Sequence, residues 1–181
     1  MDLEARVFQT QVLYSSVIFA QASQRLLKAI ALSDLDMKPK TWPSLYEMAY
    51  TTSFVNLAKV IGDSTKKSYD LEALIKARYY TEKERKAVII SWTDLKNKHK
   101  KAFKLIRSIR NDIVAHNNGG IRSLQDVDGY VHESDITQQL TYDLISFIEQ
   151  LPWFTKGTIV NAPQYTDYKD ELGFNLAKSA S

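Results

Sequence analysis

The longest stretch of this 181-residue chain without glycine or proline covers residues 63–118 and reads DSTKKSYDLEALIKARYYTEKERKAVIISWTDLKNKHKKAFKLIRSIRNDIVAHNN. Residues 1–38 and 44–61 also lack both helix breakers, and the whole chain has only 6 Gly and 4 Pro. A β-sandwich or β-barrel needs turn residues about every 8–12 positions, and a Rossmann or P-loop site needs a glycine-rich turn. The sequence supplies neither feature, and it therefore favours long helices.

Apolar spacing predicts an all-α fold, an antiparallel up-and-down helical bundle of four main helices with one or two short ones. The predicted helices cover residues 3–33, 41–61, 70–80, 81–117 and 134–151. Thr81 and Glu84 fit a capping box at the start of the fourth segment, which could be interrupted near residues 91–93. Residues 1–152 are predicted to form the bundle, and residues 153–181 an irregular, partly disordered C-terminal extension.

The composition excludes several classes of protein. With no Cys, the chain can form neither a disulfide nor a thiolate metal site, and it has no Cys nucleophile. The N-terminus does not resemble a signal peptide, and no apolar run is long enough to span a membrane. We therefore expect a cytoplasmic protein without a membrane partner.

Charge is unevenly distributed along the chain. Residues 1–125 carry 21 basic and 12 acidic side chains, whereas residues 126–181 carry 3 basic and 9 acidic ones. Between residues 95 and 110 there are seven basic residues and no acidic one. On a continuous helix, four of them fall within a stripe of about 80°; these candidate RNA-binding residues are Lys96, Lys100, Lys104 and Arg107.

This basic stripe has three interpretations. It could be a solvated helix face, it could pair with the acidic C-terminal third in a purely structural dimer, or it could contact the phosphates of a nucleic acid. The apolar side of the same stretch is expected to consist of Leu95, Ala102, Ile106, Ile109 and Ile113. His99 is interpreted as an exposed polar residue that could touch RNA.

Arg110 and His116 lie about 120° apart around the predicted helix, on either side of Ile113. One helix cannot easily direct both side chains at a single phosphate. If this seam packs against a second copy of the chain, two Arg and two His residues can line a composite cleft. An alternative is that His116 caps the helix end and Arg110 pairs with Asp112 or a distant carboxylate.

The segment Arg110-Asn111-Asp112-Ile113-Val114-Ala115-His116 resembles the signature of the HEPN superfamily (higher eukaryotes and prokaryotes nucleotide-binding). In that signature an Arg is followed by a polar residue, and four to six residues separate the Arg from a His. The order of helices over about residues 3–151 looks most like the branch related to abortive-infection protein U.

The resemblance implies an all-α homodimer that acts as a metal-independent endoribonuclease, in a toxin–antitoxin or phage-defence system. His116 would be the general acid/base, Arg110 would hold the scissile phosphate, and Asn111 would orient the phosphate or the partner His. RNA is the expected substrate, a cognate antitoxin is a possible partner, and neither a metal nor another cofactor is expected. The alternative within the same family is a non-catalytic module that binds nucleic acid or protein.

Overall fold

The computed structural model describes residues 3–31, 41–62, 70–76, 81–115 and 127–154. Within these ranges the chain forms six α-helices and no strand, which confirms the predicted all-α helical bundle. The helices are α1 (Leu3–Ala31), α2 (Thr41–Ile61), α3 (Leu71–Lys76), α4 (Glu82–Lys98), α5 (Lys100–Ala115) and α6 (Val127–Glu149).

Helices α1 and α6 run antiparallel and are joined by hydrogen bonds between polar side chains. Near one end, the Tyr14 hydroxyl donates a 2.8 Å hydrogen bond to Glu149 Oε1. Towards the other end, the buried Gln24 amide donates to the Thr137 hydroxyl at 2.9 Å. Residue numbers rise along α1 as they fall along α6, so these two helices fix the long axis of the bundle.

The hydrophobic core lies between these two helices, α2 and the inner faces of the remaining three. Trp92 of α4 packs against two other aromatic rings of this core. The ring centroids of Phe103 and Phe147 lie 5.8 and 5.5 Å from that of Trp92. Trp92 is buried, and its contacts join α4, α5 and α6. These contacts determine which sides of α4 and α5 remain at the surface.

Local sequence signals predicted several helix ends correctly. The capping box is present, because the Thr81 hydroxyl accepts from the Glu84 N–H and the Glu84 carboxylate accepts from the Thr81 N–H. Helix α2 ends before Gly62, whose φ of 77° lies in the left-handed region that favours glycine.

Two predicted boundaries differ from the structure. Helix α6 begins at Val127, seven residues before the predicted cap at Ser134, and Ser134 is instead a buried residue inside the helix. Helix α6 also ends at Glu149, two residues before the predicted end at residue 151. Beyond it, the first two residues of the predicted C-terminal extension pack against α1, and the rest of that extension lies outside the described residues. The Trp153 indole N–H donates to Thr10 Oγ1 at 2.7 Å, and the Phe154 ring lies 5.0 Å from Tyr14.

No helix in the described ranges has both the length and the apolar character needed to cross a membrane.

Candidate nucleic-acid interface

The candidate interface is built around a break between α4 and α5 at His99. The His99 N–H donates to the Leu95 carbonyl and so closes α4, while its carbonyl accepts from the Phe103 N–H and so opens α5, both at 3.0 Å. The sequence predicted one helix across this point, with an interruption near residues 91–93. That position is wrong: the interruption lies six residues further on, at His99.

The side chain of His99 turns inward at this break and binds α6. Only 8% of His99 is exposed, and its Nε2 lies 2.6 Å from Asp143 Oδ2. The interpretation of His99 as an exposed residue is therefore wrong. The signal that would have placed it correctly is its spacing, because His99 lies on the same side as the buried Leu95, Ala102 and Ile106.

Asp143 is the acceptor around which this corner is organised. Its Oδ2 accepts from Lys98 Nζ at 2.6 Å as well as from His99, and its Oδ1 accepts from the Gln139 amide at 2.9 Å. Burial opposes ionisation of this carboxyl, but the three donors outweigh burial and lower the Asp143 pKa from 3.8 to about 2. Asp143 is therefore ionised over the whole neutral range.

Helix α5 presents a basic outer face, which we define as Lys100, Lys101, Lys104 and Arg107. All four are exposed, and no carboxylate in the described part of the chain forms an ion pair with any of them. The other side of α5 is buried, as predicted, at Ala102, Phe103, Ile106 and Ile109. Phe103 was missing from the predicted apolar side, and the side chain of Ile113 lies outside the described part.

Lys96 does not belong to this basic face. It lies on α4, before the break, where its Nζ is 3.1 Å from Glu72 Oε2 and 5.7 Å from the centroid of the Trp92 ring. The four residues of the predicted stripe are therefore divided between two helices, with Lys96 on α4 and the other three on α5. A contact between Lys96 and RNA stays a prediction.

The residues of the Arg–His motif follow the basic face on α5. Arg110 is half-buried and has an interaction within the protein, and Asn111 is exposed. His116 lies outside the described residues, as does the side chain of Ile113. The expected cleft between Arg110 and His116 of two protomers thus stays a prediction.

Among the described residues, acidic side chains of the C-terminal third pair with part of the positive charge. Lys98 and His99 share Asp143, and Lys28 lies 3.5 Å from Asp135. In the same ranges no group of three or more His, Asp or Glu side chains could hold a metal ion. The exposed cations of the basic face on α5 can bind phosphate.

Comparison of the chain with protein-family models, with curated proteins and with solved structures finds no match.

Proposed function

We propose that this protein binds single-stranded RNA through the basic face of α5 and cleaves it without a metal ion, as an endoribonuclease of HEPN type. The observation that carries the proposal is the basic face itself. Lys100, Lys101, Lys104 and Arg107 are exposed and unpaired within the described chain, and they lead along α5 to Arg110 and Asn111. An RNA backbone is a polyanion, and such a cluster neutralises several of its phosphates.

The chemistry of the proposed site needs three functions. A base removes the proton of a 2′-hydroxyl, the 2′-oxygen attacks the adjacent phosphorus, and an acid protonates the departing 5′-oxygen. A cation stabilises the charge that develops on the phosphorane. In the proposal His116 supplies the proton transfers, because an imidazole ordinarily titrates near neutral pH. Arg110 supplies the cation, and Asn111 orients the phosphate.

The proposed active unit is a homodimer, in which Arg110 and His116 of both protomers line one cleft. This arrangement is motivated by their separation of about 120° around one helix, which keeps a single protomer from directing both side chains at one phosphate. In a cell, such a nuclease would act as a toxin or a phage-defence component, with a cognate antitoxin as a possible partner.

A non-catalytic RNA-binding module is the second candidate. It is favoured by the composition of the described face, whose three lysines and one arginine can bind phosphate but include no histidine or carboxylate. This candidate has the same RNA affinity and yields no cleavage products.

The two candidates are separated by incubating a single-stranded RNA with the protein in EDTA and analysing the products. The expected result is 2′,3′-cyclic phosphate and 5′-hydroxyl ends with the wild type and no products with His116→Ala. The exposed His132 on α6 provides a matched control, so His132→Ala should cleave like the wild type. An inert wild type that still binds RNA would identify the non-catalytic module. Equal cleavage by His116→Ala would remove His116 from the mechanism.

A further inference from the structure

A concave cavity of about 560 Å³ lies at the α4–α5 corner. The lining side chains that matter here are Lys98, His99, Lys100, Lys101, Lys104 and Ile136. The volume lies within the range of about 300–1,000 Å³ that is usual for small-molecule sites. It is therefore large enough for a nucleotide.

Lysine is the most frequent residue in the lining of the cavity. Four lysines line it, and only Lys98 is paired, with Asp143, in the described part of the chain. Lys101 is of particular interest, because it lies about 100° away from Lys100 around α5 and about 60° from Lys104. It faces the cavity but was not part of the stripe predicted from the sequence.

His99 lies in the wall of the cavity and is held in place by α6. More than nine-tenths of this residue is buried, and its Nε2 is committed to Asp143. Its Nδ1 atom has no hydrogen-bond partner among the described residues, and the residue is part of the cavity lining. A ring that is bound to a carboxylate at one nitrogen keeps the other nitrogen available for a second hydrogen bond.

We propose that this cavity binds a terminal phosphate monoester, either of a free nucleotide or of an RNA 5′ end. A monoester carries up to two negative charges and three acceptor oxygens, which suits three lysines without an ion pair in the described part of the chain better than the single charge of an internal phosphodiester does. Ile136, on α6, provides an apolar wall for the attached nucleoside. The inference goes beyond the proposed cleavage and does not depend on His116.

The test measures calorimetrically how much a terminal phosphate strengthens binding in low salt. One arm compares adenosine 5′-monophosphate with adenosine. The other compares one ten-nucleotide RNA with and without a 5′-phosphate, fully 2′-O-methylated so that the 2′-oxygen cannot attack. Both arms are repeated with Lys101→Gln, with His99→Asn, and with the control Lys83→Gln, which removes an exposed lysine at the far end of α4.

We expect the phosphate to tighten binding by tenfold or more in at least one arm. The preference should fall below threefold in Lys101→Gln and His99→Asn and persist in Lys83→Gln. His99 is buried, so His99→Asn could unfold. In that case the result with Lys101→Gln, a change at an exposed residue, is sufficient to test the proposal. A preference in the nucleotide arm alone identifies a free nucleotide as the ligand, and one in the RNA arm alone identifies an RNA end. Equal affinities with and without the phosphate in both arms, or a preference that survives Lys101→Gln, would overturn the proposal.

Discussion

The Nε2 atom of His99 lies 2.6 Å from Oδ2 of Asp143, a residue 44 positions further along the chain. This contact joins the α4–α5 corner to α6 at the point where the helix is broken. It also separates the paired Lys96 on α4 from the unpaired cations on α5. The position of the basic face therefore depends on an acidic residue outside the basic stretch.

Asp143→Asn should destabilise the protein by about 1–3 kcal/mol at pH 7, because charged hydrogen bonds from Lys98 and His99 are weakened while the side-chain volume is kept. Urea denaturation measures the loss. Asp94→Asn, at an exposed position on α4, is the matched control and should change the free energy of unfolding by less than about 0.5 kcal/mol. Similar effects of the two variants would show that the Asp143 contacts do not stabilise the fold.

The same contact has a pH signature. Since the Asp143 pKa is lowered from 3.8 to about 2, its contribution to stability is complete above pH 3.8 and is lost as the pH falls towards 2. The difference in the free energy of unfolding between the wild type and Asp143→Asn should therefore shrink between pH 4 and 2. A difference that stays constant over that interval would contradict the assignment.

Glu72→Gln should loosen α3, a helix of six residues that is too short to be stable alone. Glu72 receives hydrogen bonds from Lys76, Lys96 and the Trp92 indole at 2.7, 3.1 and 3.3 Å. The bond from Lys76 is the largest cause of its lowered pKa of about 2; burial opposes it, and the other two donors add to it. Hydrogen exchange at the Leu74 amide should become about fivefold faster, as expected for a loss of about 1 kcal/mol.

The exposed Glu82 provides the control for this measurement. It lies 3.7 Å from Lys86 in an ordinary surface pair on α4, so Glu82→Gln should leave exchange at Leu74 unchanged. If both variants gave the same exchange rate at Leu74, the hydrogen bonds of Glu72 would not stabilise α3.

Ile106→Ala should cost about 2–5 kcal/mol, because Ile106 is fully buried on the side of α5 opposite the basic face. Ile90→Ala makes the same chemical change at a side chain on α4 that is 60% exposed, and should cost less than about 0.5 kcal/mol. Thermal unfolding of the two variants tests the orientation of α5. If Ile90→Ala destabilised the protein more than Ile106→Ala, α5 would be rotated and its lysines would not lie at the surface.

Signals that act over a few residues could be predicted from the sequence. The Thr81–Glu84 capping box and the helix end at Gly62 depend on neighbouring residues, and both are present. The apolar spacing of Ala102, Ile106 and Ile109 likewise placed the buried side of α5 correctly. Each of these follows from helix geometry and backbone preference alone.

The rest depends on partners that are distant in sequence. In the sequence, His99 is one polar residue among lysines and Lys96 is one of several cations. Only the folded structure shows that Asp143 binds His99 and that Glu72 pairs with Lys96. The start of α6 was placed too late because Ser134 suits a helix cap, whereas in the structure it is buried inside the helix. Helical spacing carries no information about which acidic side chain will reach which basic one.

Gly62→Ala should destabilise the protein by at least about 2 kcal/mol. Its φ of 77° is unfavourable for alanine, and the added Cβ would overlap the side chain of Asp70. Asp70 is buried and caps α3, its Oδ1 accepting from the Ala73 N–H at 2.7 Å. In an Asp70→Ala background the overlap with the carboxylate is removed, and only the contact with the Cβ of residue 70, at 2.8 Å, and the backbone strain remain, so Gly62→Ala should cost less than it does in the wild type. Equal costs in both backgrounds, measured by urea denaturation, would show that the carboxylate is not in the way.

Removing one cation from the basic face should make RNA binding less dependent on salt. For single-stranded RNA the slope of log affinity against log salt is about −0.7 for each phosphate neutralised, so Lys104→Gln and Arg107→Gln should each lower its magnitude by about 0.7. Lys96→Gln should lower it by less, because the Lys96 charge is already paired with Glu72. Lys59→Gln, an exposed position on α2, is the control and should leave the slope unchanged. Titrations of a fluorescent single-stranded RNA at several salt concentrations give all four slopes, and a Lys104→Gln slope equal to that of Lys59→Gln would move the RNA contact away from α5.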